Sequence, residues 1–380
     1  MRVVHLIPQF SGGGAEMLLS QLALWQRRAG HEVFVVTMAD PEPTYLLNPY
    51  RYALEQEVPV ITTPGRWRLN PFRAHEADAW RRLLLELNPE IVHSHLYEAD
   101  GLALSYIRQG TVYCCHVHGP VPPPNSMKEK LIRPLELMMM RRRYAHEQVW
   151  FVAISQSMMR YAQKLVPGKD SRRIRVVYNG IDLSRFTFSR RGRPQVPLRL
   201  VTVGSLIPRK QHAFLVEVVN RLRCRGTAST LQILGSGTLE GALRQQIRKL
   251  GLDDVVTLAG QVSHVEEFLQ QADVYVHAAQ PEPLGLAVLE AMACGLPAVV
   301  LDGGGVSELM EDGRNGALVQ QRHVDRFVEA ILWLTADEKR FSACSQAARA
   351  TAERHSLDDY IRQVQEVYEE ALRDVRDRSA

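Results

Sequence analysis

The sequence lacks most of the features that mark secreted or membrane-spanning chains. Its 380 residues include only five cysteines, none in a C-x-x-C spacing, which predicts reduced thiols and argues against zinc. The longest apolar runs are strand-sized, whereas a bilayer-spanning helix needs about 18 or more apolar residues. The N-terminus leads into a strand pattern without the apolar segment and cleavage site of a signal peptide. We therefore expect a cytoplasmic protein.

The composition is that of an ordinary globular chain. Hydrophobic residues make up 46% and charged residues 23%, and the length suits two domains rather than one. The net charge is only +4, but Lys and Arg are in excess up to about residue 190 and Asp and Glu after it. A basic first half favours an anionic acceptor or a membrane surface, and solvated surface charge is an equal alternative. No nucleic-acid partner is expected.

Short apolar runs alternate with helical patterns twice along the chain. In the first half the strand candidates include Val3–Pro8, Glu32–Met38 and Ile91–His95, and the alternation restarts at Leu198–Val203 after a segment rich in Gly and Pro at 189–197. This order predicts an α/β protein with two doubly wound parallel sheets. We expect a first domain over 1–188, a second over 198–355, and a helix over 356–380 that crosses back to the first. Ligands bind outside the carboxyl ends of such strands, so we expect the two domains to face an interdomain cleft.

The segment from Glu282 to Glu290 gives the clearest indication of a ligand-binding site. It follows a predicted strand and opens a helix over Leu286–Ala293, where free backbone N–H groups and the positive end of the helix dipole suit a diphosphate. Gly285 permits a close turn. The two carboxylates make sense as acceptors for hydroxyl groups, and at an arbitrary spacing they would be ordinary surface residues.

Several other segments, taken together with this one, resemble the motifs of a known protein family. Residues 282–299 read EPLGLAVLEAMACGLPAV, and GGGAE (12–16), IVHSH (91–95), VHG (117–119), VYNGID (177–182) and VGS with Arg209-Lys210 lie elsewhere in the chain. Together these motifs resemble the retaining glycosyltransferases of family 4, also called glycosyl transferases group 1. The resemblance covers most of the chain and implies the GT-B fold with two Rossmann-like domains, a nucleotide-sugar donor, and transfer with retention of configuration. It implies polysaccharide or glycoconjugate biosynthesis.

The resemblance also implies roles for individual residues. His118, Lys210 and Glu282 are expected to be catalytic, with Lys210 and Arg209 neutralising the diphosphate. The whole donor site is expected to comprise Gly13, Gly14, Arg209, Lys210, Glu282, Leu284, Gly285, Leu286 and Glu290, with Glu282 on the sugar and Glu290 on the ribose. One departure is Ser205, which stands where the family has Arg and raises the question of weaker diphosphate binding. The chain has no Asp-x-Asp motif, so neither a metal nor another cofactor is expected.

Histidines mark the predicted strand ends of the first domain. His118 is expected near the reacting carbon of the donor sugar, and His116, two residues earlier on the same strand face, is the alternative. We interpret His93 and His95 as strand-end residues rather than metal ligands, since no carboxylate or cysteine lies at ligand spacing.

Two other enzyme classes remain as alternatives. A related two-domain nucleotide-sugar enzyme, either an epimerase or a phosphorylase, would share most of the site. An NAD-dependent oxidoreductase could use Gly12, Gly14 and Asp40, but Met17 replaces the third glycine of that fingerprint.

The segment Met127–His146 combines basic and apolar residues at helical spacing. Such a helix could make peripheral contact with the inner face of a membrane. We favour a core-packing helix with a charged outer face, because Pro134 interrupts the periodicity.

Overall fold

The computed structural model describes residues 1–10, 13–38, 49–63, 74–124, 126–189, 192 and 194–379. The chain forms two compact units. Unit 1 comprises Met1–Tyr178 and Tyr360–Ala380, and unit 2 comprises Asn179–Asp359. The division falls between Tyr178 and Asn179, so the predicted linker at 189–197 lies within unit 2. The helix expected at the C-terminus groups with unit 1 from Tyr360 onward.

Unit 1 is built on a seven-stranded parallel sheet of order β3-β2-β1-β4-β5-β6-β7. The strands are β1 (Arg2–Ile7), β2 (Glu32–Thr37), β3 (Val60–Thr62), β4 (Ile91–His95), β5 (Val112–Val117), β6 (Val149–Ala153) and β7 (Ile174–Val176). The helices are α1 (Gly14–Arg28), α2 (Pro49–Glu55), α3 (Ala74–Leu87), α4 (Tyr97–Ala103), α5 (Met127–Tyr144) and α6 (Gln156–Leu165). Apolar layers cover both sheet faces. One of them includes Leu19, Ala23 and Val35, and the other includes Trp80, Tyr144 and Phe151.

Unit 2 repeats this plan with six parallel strands in the order β10-β9-β8-β11-β12-β13. Its strands are β8 (Leu198–Val203), β9 (Ser229–Leu234), β10 (Val256–Gly260), β11 (Val274–His277), β12 (Ala298–Leu301) and β13 (Gly316–Val319). Its helices are α7 (His212–Cys224), α8 (Glu240–Lys249), α9 (Val265–Gln271), α10 (Leu286–Ala293), α11 (Val324–Thr335) and α12 (Glu338–Glu353), and α13 (Leu357–Ser379) continues into unit 1. The two Rossmann-like sheets expected from the sequence are thus present.

In each sheet the strand order reverses at one place. Strands β1 and β4 flank the reversal in unit 1, and β8 and β11 flank it in unit 2. Loops after such neighbouring strands leave in opposite directions and open a crevice at the carboxyl ends. Most of the predicted site residues follow these strands. The fold therefore places most of the candidate site residues beside this reversal of strand order, which is the switch point of each unit.

Helix α5 forms from the segment that combines basic and apolar residues. It runs continuously from Met127 to Tyr144 with Pro134 inside it. Its outer face carries exposed apolar side chains at Met127, Leu131 and Leu135, which are 71%, 78% and 45% exposed. The helix buries Met140 and Tyr144 in the core of unit 1, and its outer face carries both charged and apolar side chains.

Candidate active site

The first part of the unit 2 site follows strand β8. The chain leaves the strand at Gly204, passes Ser205, and makes a single 3₁₀ turn at Pro208–Lys210 before α7. A Cβ added at Gly204 would lie 3.3 Å from Lys210 Cδ, so the absence of a side chain lets Lys210 cross close to the backbone. Ser205, which replaces the family's arginine, is exposed.

The second part follows strand β11 and holds Glu282. The backbone N–H of Glu282 donates to Gly303 O at 2.7 Å, and Glu282 forms a bridge with Gly304. A Cβ at Gly303 would lie 2.4 Å from Ala279 O, so only glycine allows this close approach of the two loops. The glycine run after β12 therefore fixes the backbone that carries Glu282.

Two cationic side chains lie close to the same carboxylate oxygen of Glu282. Lys210 Nζ lies 2.5 Å from Glu282 Oε2, and an Arg209 guanidinium nitrogen lies 3.4 Å from the same atom. Arg209 also donates to Pro281 O at 3.1 Å. The other oxygen, Oε1, accepts no hydrogen bond from the residues that the structure describes, so the pairing leaves it available to a ligand hydroxyl.

Buried His277 is a neighbour of Glu282 that the sequence did not suggest. Its Nε2 lies 3.4 Å from Glu282 Oε2, and burial lowers the pKa of the imidazole. Burial alone would raise the pKa of Glu282, but His277 and Lys210 more than offset it and hold that pKa well below its usual range. Glu282 is therefore ionised at neutral pH. The only available signal was the position of His277 at the end of β11.

The third part is the start of helix α10. Gly285 is the N-cap, with φ of +97°, and a Cβ there would lie 2.9 Å from Val306 Cγ2. The N–H groups of Leu284, Gly285, Leu286 and Ala287 donate no hydrogen bond within the described part of the chain. Together with the helix dipole they form a site suited to an anion.

Glu290 lies in the second turn of α10 and is half-buried. Burial raises the pKa of its carboxyl to about 7, nearby Arg185 opposes this shift, and Glu266 adds to it. Its carboxylate has no hydrogen-bond partner among the described residues. A carboxyl group that is desolvated without a partner is suited to a ligand that brings its own hydroxyl donors.

The remaining predicted residues belong to unit 1. Gly13 caps helix α1 and Gly14 is the first helical residue, while Gly12 lies outside the described residues. His118 follows β5 and is half-buried, and burial lowers its pKa to about 3. The alternative, His116, is only 1% exposed, so His118 is the more accessible of the two. The structure thus brings Arg209, Lys210 and Glu282 into contact in unit 2, while Gly13, Gly14 and His118 stand at the carboxyl ends of strands in unit 1.

Comparisons with curated proteins point to sugar transfer. The putative colanic acid biosynthesis glycosyltransferase WcaL of Salmonella typhimurium is 34% identical over 157 residues, 39% of each chain. Glycogen synthase of Mycobacterium tuberculosis is 33% identical over 187 residues, 49% of this chain and 44% of that protein. The chain thus matches less than half the length of these two relatives. N-acetyl-alpha-D-glucosaminyl L-malate synthase of Bacillus anthracis is 27% identical over 96% of both chains.

Solved structures share the fold over nearly the whole chain. Anabaena Alr3699/HepE in complex with UDP superimposes with a TM-score of 0.78 at 20% identity, covering 97% of this chain and 100% of that one. The lipopolysaccharide biosynthesis glycosyltransferase WaaG does so with a TM-score of 0.74 at 17% identity, covering 96% and 99%.

Two family models cover the two halves of the chain. The model described as Glycosyltransferase Family 4 matches residues 12–185, and the model described as Glycosyl transferases group 1 matches residues 185–351. The sheet topologies agree with the two Rossmann-like domains of these families. The chain therefore belongs to the group 1 glycosyltransferases with the GT-B fold.

Proposed function

We propose that the chain transfers a sugar from a nucleotide-diphosphate sugar to an acceptor hydroxyl, with retention of anomeric configuration and without a metal ion. The observation that carries the proposal is the Lys210–Glu282 pair beside the free N–H groups that open helix α10. These elements hold a cation, a fixed carboxylate and an anion site within one loop cluster. HepE, which shares the fold, was solved with UDP, with UDP and glucose, and with UDP-glucose.

The proposed residue roles follow from charge. Glu282 accepts hydrogen bonds from sugar hydroxyls through Oε1 while Lys210 holds Oε2 in place. Arg209, Lys210 and the N–H groups of Leu284, Gly285 and Leu286 stabilise the diphosphate as negative charge grows on it. Glu290 accepts from the ribose, Gly13 and Gly14 allow the loop before α1 to approach a ligand closely, and His118 contacts the sugar.

The proposed reaction exchanges one bond to the anomeric carbon for another. The bond between that carbon and the phosphate oxygen breaks, and its electron pair leaves with the nucleoside diphosphate. The acceptor oxygen bonds to the same carbon from the same side, and its proton passes to the leaving phosphate oxygen. Fixed positive charge at the leaving group lowers the barrier to such a step.

Incubation with uridine, guanosine and adenosine diphosphate sugars and a panel of hydroxyl acceptors, with EDTA present, tests this proposal. We expect nucleoside diphosphate to be released only when an acceptor is present, and NMR of the product to show the donor's anomeric configuration. Sugar isomerisation without nucleotide release would favour an epimerase. Phosphate-dependent release of sugar phosphate would favour a phosphorylase, and tight NAD binding an oxidoreductase.

We also propose that α5 makes peripheral contact with an anionic membrane. Its exposed apolar side chains (Met127, Leu131, Leu135 and Met138) recur at helical spacing, and exposed cations (Lys130, Arg141 and Arg142) stand on the same helix. This combination suits a helix that lies in the interface of an anionic bilayer. Among the described residues, no helix has the length and apolar character needed to cross a membrane.

A further inference from the structure

Five histidine rings lie close together where three neighbouring strands of unit 1 end. They are His5 on β1, His93 and His95 on β4, His116 on β5, and His118 just after β5. His118 is half-buried, whereas the other four side chains are at most 1% exposed. The proposed transfer uses His118 alone, on the donor sugar, so the buried rings have no assigned role.

A chain of side-chain hydrogen bonds connects Gln26 on α1 to His118. Gln26 Oε1 lies 2.8 Å from His5 Nε2, and His5 Nδ1 lies 3.2 Å from His95 Nε2. His95 Nδ1 in turn lies 3.1 Å from His118 Nε2. These distances are in the usual range for hydrogen bonds. The other nitrogen of His118, Nδ1, bonds to none of the described residues, so it is the free end of the chain.

Neutral imidazole rings transmit the direction of donation along such a chain. Burial lowers the pKa of His5 to about 4 and that of His118 to about 3, and it is the main cause that holds the pKa of His95 well below its usual range. At neutral pH each ring therefore has one N–H, which donates, and one bare nitrogen, which accepts. Because the N–H of one ring must face the bare nitrogen of the next, the first bond of the chain determines all the others.

The amide of Gln26 makes that first bond. Its oxygen can only accept, so His5 Nε2 donates to it and His5 Nδ1 is bare. His95 Nε2 then donates to His5, and His118 Nε2 donates to His95. The free atom, His118 Nδ1, is therefore a bare nitrogen that can accept a hydrogen bond. A reversed amide would reverse every donor in the chain and place a proton on that atom.

The surroundings of Tyr368 favour this orientation of the amide. Burial raises the pKa of the Tyr368 hydroxyl, and Gln26 opposes that shift, as a hydrogen-bond donor does. The amide nitrogen of Gln26 therefore faces Tyr368, although it completes no hydrogen bond with the residues that the structure describes. The amide oxygen is left to face His5.

We propose that Gln26 and His5 are positioning residues that keep His118 Nδ1 unprotonated, so that His118 accepts a hydrogen bond from a hydroxyl of the donor sugar. The identity of the ligand rests on the proposed transferase function. A bare nitrogen pairs with a hydroxyl, which can donate, and leaves a substituent that only accepts without a partner. Gln26 and His5 are fully buried, so they act on the sugar only through the chain to His118.

Nitrogen NMR of the full chain labelled with ¹⁵N-histidine measures the protonation of each ring nitrogen without any ligand. Comparison with His118→Phe assigns the His118 signals. At neutral pH we expect the wild type to show a bare Nδ1 and a protonated Nε2 at His118. Gln26→Leu and His5→Leu should each move both signals toward the average of the two tautomers, although neither residue hydrogen-bonds to His118. Gln163→Leu, which replaces an exposed glutamine of unit 1, should leave them unchanged.

Ligand affinity provides a second measurement, with the nucleotide sugar that the activity assay identifies and with its nucleoside diphosphate. Gln26→Leu and His5→Leu should weaken binding of the nucleotide sugar about three- to tenfold, the usual effect of one hydrogen bond. They should leave binding of the nucleoside diphosphate, which lacks the sugar, unchanged. Equal losses for the two ligands would show general disruption of the fold and would contradict a positioning role.

The NMR result decides the proposal. A protonated Nδ1 at His118 in the wild type, or His118 signals that stay unchanged in both leucine variants, would overturn it. Circular dichroism checks that the variants are folded, and Gln26→Leu, at the far end of the chain, provides the measurement if His5→Leu does not fold. Failure to bind any nucleotide sugar would instead count against the proposed function, because the nitrogen signals are measured on the free protein.

Discussion

Lys210 Nζ lies 2.5 Å from Glu282 Oε2, and both side chains are largely removed from solvent, at 16% and 8% exposed. The pair joins the loop after β8 to the loop after β11, the two strands that flank the switch point of unit 2. It thus fixes the position of a cation that can stabilise a leaving phosphate and of a carboxylate that can accept a sugar hydroxyl.

Removal of either charge, that of Lys210 or that of Glu282, should abolish most of the activity. We expect Lys210→Met and Glu282→Gln each to lower kcat by about 10²–10³, the usual effect of losing one preorganised electrostatic contact in a transition state. Arg209→Met should have a smaller effect, because Arg209 is 39% exposed and lies 3.4 Å from the carboxylate. Near-normal turnover in Lys210→Met or in Glu282→Gln would show that the replaced residue is not part of the active site.

The same variants should differ in stability. Lys210→Met leaves a buried carboxylate with weaker partners, so we expect a loss of about 1–3 kcal/mol in the free energy of unfolding. The double variant Lys210→Met/Glu282→Gln removes both charges and should recover part of that loss. Urea unfolding of the four proteins in this cycle measures the coupling, and strictly additive losses would show that the pair contributes no net coupling.

Glu290 should make donor binding depend on pH. Its carboxyl has a pKa raised to about 7 in the free protein, chiefly by burial, with Arg185 and Glu266 as the charged neighbours. Ribose hydroxyls that donate to the carboxylate favour the ionised form, so binding should release a proton. Affinity should then increase up to about tenfold from pH 6 to pH 8 and level off above the free pKa.

A matched variant isolates this effect. Glu290→Gln keeps a hydrogen-bond acceptor of similar shape but cannot titrate. Isothermal titration with the nucleoside diphosphate at several pH values should give a flat profile for the variant, apart from the phosphate's own titration. The same slope in both proteins would exclude Glu290 as its source.

Gly285 can be compared with Gly30, which has a similar left-handed backbone conformation but no close neighbour. Gly285 has φ of +97° and Gly30 has φ of +86°, yet only at Gly285 would a Cβ meet a neighbour within 4 Å. Gly30→Ala should cost about 1–2 kcal/mol for left-handed backbone alone. Gly285→Ala should cost more and should also weaken nucleotide binding. Equal thermal unfolding shifts for the two variants would mean that the contact with Val306 is relieved cheaply.

The secondary structure was largely predictable because parallel strands buried on both faces form short, continuous apolar runs. Helix Leu286–Ala293 and strand Ala298–Leu301 form as the sequence predicts, since Gly295 and Pro297 separate them. Strand β13 was not predicted, because Gly316–Val319 has only four residues and begins with glycine. The compact units divide after Tyr178, ahead of the Gly- and Pro-rich segment on which the predicted boundary was based.

Individual site contacts were less predictable than the motifs. Glu282 and Lys210 stood out by their sequence context, but nothing in the sequence showed that they pair. His5 contacts His95, and Tyr368 contacts His93, from positions near the two ends of the chain, with Tyr368 lying 275 residues from His93. Such contacts depend on strand order and on the return of α13 to unit 1, which local patterns do not encode.

Asp100 should shape the pH dependence of stability in unit 1. It is buried, it accepts from Ser94 and Tyr144, and burial raises its pKa to about 7 from an ordinary value of 3.8. The folded state therefore holds this proton more tightly than the unfolded state. The contribution should be largest below about pH 4, decrease as the pH rises to about 7, and stay constant above that.

Comparison with Asp100→Asn separates this group from all others. With EDTA present, the free energy of unfolding of the wild type relative to the variant should fall by about 1–2 kcal/mol between pH 5.5 and pH 8. Urea titrations at four pH values measure it. A constant difference across that range would show that Asp100 ionises with the same pKa in both states.

The exposed face of α5 should determine binding to anionic vesicles. Leu131 is 78% exposed, and burial of such a side chain in a bilayer interface contributes about 1.5–3 kcal/mol. Leu131→Glu should therefore reduce flotation with phosphatidylserine-containing vesicles at least tenfold. Arg141→Gln/Arg142→Gln should reduce it less and should weaken its dependence on salt, because each cation near an anionic surface contributes about 1 kcal/mol. Tyr52→Glu introduces the same charge at another exposed side chain of unit 1, 65% exposed, and should leave flotation unchanged. Equal flotation on neutral and anionic vesicles, or equal losses in Leu131→Glu and Tyr52→Glu, would show that α5 is not the contact.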